Sequence, residues 1–76
     1  METVEGDYTL VASGRYSSNA PDPVMPWQSS VAIYKLGAAE PVHSLDTEGW
    51  FHSREAAEFV GLSAGLRFVM RLRDVL

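Results

Sequence analysis

Apolar and polar positions alternate along "YTLVASGRY" (8–16): Tyr8, Leu10, Ala12, Gly14 and Tyr16 share one face, with Thr9, Ser13 and Arg15 opposite. A period of two marks a half-buried strand, because successive side chains of an extended backbone point to opposite sides. "WQSSVAIYKL" (27–36) is rich in β-branched and aromatic residues and reads as a second strand. Both of its faces are partly apolar, which suits a central position. "VHSLD" (42–46) is a short third strand. Residues 1–7 carry no comparable pattern and are expected to fray. "SSNAPDPVMP" (17–26) holds three of the four prolines and is expected to form a loop. "TEGWF" (47–51) carries the chain onward, with Trp50 and Phe51 placed at the rim of the core.

From Arg54 to about Asp74 the period becomes helical. Ser53 is a suitable N-cap, since its hydroxyl can accept a bond from a first-turn amide. Glu55 and Glu58 stand near the positive end and Arg67, Arg71 and Arg73 near the negative end, an order that complements the helix dipole. At about 100° per residue, Ala57, Val60, Ala64, Phe68 and Val75 form one stripe, assigned here to the sheet. Phe59, Leu62, Leu66, Val69 and Met70 form a second stripe roughly opposite. Glu58, Gly61 and Gly65 occupy one flank between them, and Ser63, Arg67, Arg71 and Asp74 the other. The pattern predicts an α+β fold: a three-stranded antiparallel meander with one C-terminal helix packed on one face, β-β-β-α, in a single domain over 1–76.

Two apolar stripes imply something packed on each side of the helix. The second could be covered by the chain's own loops, by a second copy, or by a different protein. A chain of 76 residues buries a marginal core, and small domains compensate with disulfides, metals or self-association. With no cysteine, the disulfide route is closed and a homodimer is the preferred reading. Phe59, Leu62, Leu66, Val69 and Met70 are then its interface. Gly61 and Gly65 each cost roughly 1 kcal/mol against alanine in a helix. Either another backbone or a ring such as Trp27 or Trp50 approaches closely there, or the helix bends near Gly61.

Composition narrows the function classes. The net charge of −4 disfavours nucleic acid and anionic lipid as partners. Nucleic acid is kept as a distant alternative, resting on Arg54, Arg67, Arg71 and Arg73 with the strand aromatics Tyr8, Tyr16, Trp27 and Tyr34. The acidic start "METVEGDYTL" is unlike a signal peptide, and no apolar run is long enough to span a membrane; a cytoplasmic setting is expected. His43, Asp46, Glu48 and His52 are the one cluster resembling a metal or acid–base site, but their spacing matches no ligand pattern. No G-x-S-x-G positions a nucleophile, and "EGWFHS" before the helix is no phosphate loop. No catalytic residue, metal or cofactor is assigned.

"EGWFHSREAAEFVGLSAGLRFV" resembles the ending of small bacterial proteins of unknown function built as a short meander and one helix. Ser53, Glu55, Ala56 and Ala57 carry the helix-opening step, which is also similar to that of the partial RNase-H-like domain in HicB-type antitoxins. With no catalytic constellation in the sequence, a noncatalytic homodimerising module is expected, and the resemblance implies an antitoxin-like or regulatory domain that binds another protein as the alternative. The Gly-Cys-rich turn of those antitoxins has no counterpart here, and no functional residue carries over.

Overall fold

The computed structural model describes residues 1–75, the side chain of Val75 excepted. Four strands, β1 (Glu2–Glu5), β2 (Tyr8–Tyr16), β3 (Trp27–Lys35) and β4 (His43–Phe51), precede one helix, α1 (Arg54–Val75). They form an antiparallel sheet in the order β1-β2-β3-β4. The α+β class and the C-terminal helix stand, but the sheet has four strands rather than three. The segment expected to fray is β1. It pairs with β2 from Glu2↔Val11 to Glu5↔Tyr8. The two-residue connection Gly6-Asp7 closes this hairpin, with Gly6 at φ 60° where a tight hairpin turn needs a left-handed residue.

β2 and β3 pair along their full length, Tyr8↔Lys35 through Tyr16↔Trp27. The Pro-rich segment between them is the expected loop, pinned by a bond from the Ser17 N–H to the Pro26 carbonyl and by Asp22 Oδ1 accepting from Val24 N–H. The third strand of the sequence reading extends through Phe51 as β4. Its register against β3 slips between Trp27 and Ser29, so "TEGWF" is bulged strand rather than connecting turn.

Side chains at Leu10, Ala12, Val31 and Ile33 point from the central strands to the helix, where Ala57 and Val69 complete the buried apolar set. Ser53 caps α1, its Oγ accepting from Ala56 N–H at 3.0 Å. The helix runs unbroken past both glycines. It faces the sheet through Ala57, Glu58, Gly61, Gly65 and Val69, all buried, and this corrects the expected facing. The glycine "flank" is the centre of the contact. A Cβ at Gly61 would stand 2.7 Å from Ser29 Oγ and 2.9 Å from the Ser30 carbonyl oxygen. One at Gly65 would stand 2.7 Å from Leu10 Cδ2. The helix therefore rests on β2 and β3 at a distance that only these small residues permit, which offsets their low helix propensity. No bend at Gly61 is needed. Sheet backbone and core side chains approach the glycines, not a tryptophan ring.

Candidate interaction surfaces

Rotating the helix about its axis redistributes the five residues assigned to an interface. Val69 is fully buried in the core, so it cannot line an external seam. Leu62 and Leu66 are half-buried and pack against the core from its edge. Phe59 and Met70 point outward, 64% and 58% exposed. Of the stripe given to the sheet, Ala57 is buried, whereas Val60, Ala64 and Phe68 are half-buried, the last two beside Leu45 of β4; Val75 lies outside the described side chains. What remains on the outer surface is a row of Phe59, Leu62, Leu66 and Met70, at spacings of three and four. The hydrogen bonds of the Pro-rich loop run within it, from Ser17 N–H to the Pro26 carbonyl, Met25 N–H to the Asp22 carbonyl, Asn19 N–H to Ser17 Oγ and Val24 N–H to Asp22 Oδ1.

Glu58, on a flank by the helical period, has specific partners in the structure. Its carboxylate accepts from the Met1 ammonium at 2.8 Å and from Arg54 Nε at 2.8 Å. The same ammonium donates to the Ala12 carbonyl, and Ala12 N–H returns a bond to the Met1 carbonyl. The hydrogen bond from the ammonium holds the Glu58 carboxyl below the usual carboxylate range; partial burial opposes this and Arg54 assists it. At the other end of β1, Arg73 Nη1 reaches Glu5 Oε1 at 3.0 Å. Two ion pairs thus strap β1 to both ends of the helix. The helical period alone gives no sign of this, because it places Glu58 on a flank between the two apolar stripes.

The His/acid cluster disperses. His43 lies on the helix side of β4 and stacks flat on Phe68, ring centroids 4.1 Å apart and 4° from parallel. Asp46, paired with Ser30, points from the opposite face of the sheet, and Glu48 and His52 are exposed. Among the described residues, no three His, Asp or Glu side chains are grouped to hold a metal ion. The aromatics disperse as well. Tyr8, Tyr16 and Trp27 belong to the helix side of the sheet, where Tyr16 and Trp27 meet edge to face at 5.6 Å. Tyr34 is on the open side, which also carries Glu2 and Asp46. A shallow polar cleft crosses that side between Ser13, Arg15, Gln28, Ser30 and Asp46, and Arg15 spans it to Gln28 Oε1 at 3.2 Å.

The second surface lies where α1, seated over β2 and β3, leaves the helix side of β4 partly uncovered. The groove there is lined by Leu45, Ala64, Arg67, Phe68 and Arg71. Arg67 and Arg71 are one helical turn apart, both exposed. Arg54 and Arg73 have carboxylate partners, whereas these two form no salt bridge among the described residues. β4 is also an outer strand of the sheet. Among the described residues, no helix is long and apolar enough to cross a membrane. Comparison of the chain with family models, curated proteins and solved structures yields no match.

Proposed function

We propose that this chain is a noncatalytic interaction domain that works as a homodimer, joined through the outer row of α1. The exposure of Phe59 and Met70 on the side of the helix turned away from the sheet carries this reading. Apolar side chains of that size, ordered at helical spacing beside the half-buried Leu62 and Leu66, are costly to leave in water on a domain with so small a core. A two-fold antiparallel crossing sets Phe59 of one copy near Met70 of the other, a favourable sulfur–aromatic pairing. The reading is noncatalytic because the residues that could do acid–base work are spread over both faces, with His43 committed to Phe68. A cytosolic setting completes the proposal, consistent with a chain free of cysteine.

Sedimentation equilibrium tests it. The expected mass is twice the 8.4 kDa of one chain. Phe59→Glu with Met70→Glu should return the mass to that of one chain with the circular dichroism unchanged. A wild-type protein that sediments as one chain at tens of micromolar overturns the proposal.

A further inference from the structure

We infer that the free edge of β4 and the groove beside it bind an extended acidic segment of another protein, which adds to the sheet as a fifth strand. The backbone supports this first. The bond from Leu36 N–H to the Asp7 carbonyl sets the phase of the β2–β3 ladder. Hydrogen bonding alternates along an antiparallel strand, so β3 turns the backbone groups of Val31 and Ile33 toward β4, opposite Leu45 and His43. The N–H and C=O of Ser44 and Asp46 then face outward, between the irregular start of β4, where Val42 N–H also bonds the Ile33 carbonyl, and the bulge between Thr47 and Phe51. An unpaired strand edge of this kind is a template for another strand.

Charge selects the occupant. On an antiparallel strand laid along this edge, the residue opposite Leu45 projects to the helix side, into the groove that Arg67 and Arg71 line. Its neighbours project to the open side, where Asp46 repels acid. The preferred segment thus alternates, with acidic or aliphatic residues toward the groove and uncharged residues away from it. Two guanidiniums one helical turn apart, with no salt bridge among the described residues, are the local complement of such a segment on a chain that is acidic elsewhere. A second copy is the wrong occupant: two-fold β4–β4 pairing would bring Arg67 and Arg71 of both copies into one seam. Phe59 and Met70 lie on a different flank, so this site and the proposed dimer stand or fall separately.

Fluorescence anisotropy of a labelled peptide, Thr-Glu-Thr-Val-Thr-Glu-Thr, tests the site on the intact chain. Saturable binding is expected, together with no binding of the Lys-for-Glu counterpart. Arg67→Glu with Arg71→Glu should weaken it by about tenfold or more. Ser44→Pro should abolish it as well, since proline removes an outward N–H that the sheet itself does not use. Circular dichroism should show all variants folded. Absence of binding, equal binding of the lysine peptide, or full binding by either variant overturns the inference. So does a dimer that Ser44→Pro converts to single chains while Phe59→Glu leaves it intact, because a second copy then occupies the edge.

Discussion

Ser29 and Gly61 share one small space. The Ser29 hydroxyl, buried in the sheet, donates to the Ala57 carbonyl, one helical turn before Gly61. A Cβ on residue 61 would fall 2.7 Å from that same hydroxyl oxygen. The bond and the missing side chain are therefore two parts of one helix–sheet contact. Gly61→Ala, a change that favours an isolated helix by about 1 kcal/mol, should instead destabilise this protein by about 2 kcal/mol through overpacking. Urea unfolding reads the difference. The Ser30 carbonyl, 2.9 Å from the added carbon, is backbone and yields little. Gly65→Ala meets the side-chain atoms of Leu10 and Val31 instead and should cost less. In a Ser29→Ala background the Gly61→Ala penalty should shrink, and a double-mutant cycle measures the coupling.

Acid should loosen the strap between β1 and the helix. The Glu58 carboxyl titrates below the usual carboxylate range because the Met1 ammonium bonds its ionised form. A depressed folded-state pKa adds stability that is present above the unfolded-state value and lost as pH falls through the folded one. Thermal melts between about pH 6 and pH 2.5 should therefore show a loss of stability that Glu58→Gln reduces. Acetylating the Met1 amine should reduce the same pH dependence. Equal slopes for wild type and Glu58→Gln would refute the assignment.

Val69 and Phe59 should behave as opposites although one apolar stripe first grouped them. Val69→Ala removes methyl groups from a site with no solvent access and should cost about 2 kcal/mol in urea unfolding. Phe59→Ala leaves the core untouched. Its effect should appear in the concentration dependence of the melting temperature and be small for a lone chain.

Loss of the Ser53 hydroxyl should cost about 1 kcal/mol, as for other N-cap substitutions to alanine. Hydrogen exchange should localise the change to the amides of the first turn, Ala56 foremost. Protection at Val69 should fall only with global stability.

Strands whose side chains alternate in kind were legible at once. β2 is read from Tyr8 to Tyr16 because a buried face leaves every second residue apolar, and β3 from Trp27 because β-branched and aromatic residues crowd both of its faces. β1 was hidden because "ETVE" has few apolar residues and its anchors, the Met1 ammonium and Arg73, come from outside the strand. The pair Gly6-Asp7 was the available signal, a two-residue hairpin connection directly before a recognised strand. Gly49 made the end of β4 look like a turn, yet at φ 100° it lies within the bulged part of the strand. The facing of α1 was lost for a different reason. Hydrophobicity weighs a glycine as almost nothing, whereas contact distance rewards it most, so the closest face of the helix was the one that scored least apolar. Ala57, Gly61 and Gly65, with Gly14 on β2 against Arg54 and Ala57, are better read by volume than by polarity.

The two edges of the sheet are unequal, and this bears on how the molecule can grow. An open sheet that accepts strands at both ends propagates head to tail into a filament. Here one end is a four-residue strand bearing Glu2 and Glu5 and strapped to the helix at both extremities. Short, charged edges resist further pairing. On the inferred binding, addition would be confined to β4, so copies could not chain edge to edge through β1, and each chain would take up one segment in a complex of finite size.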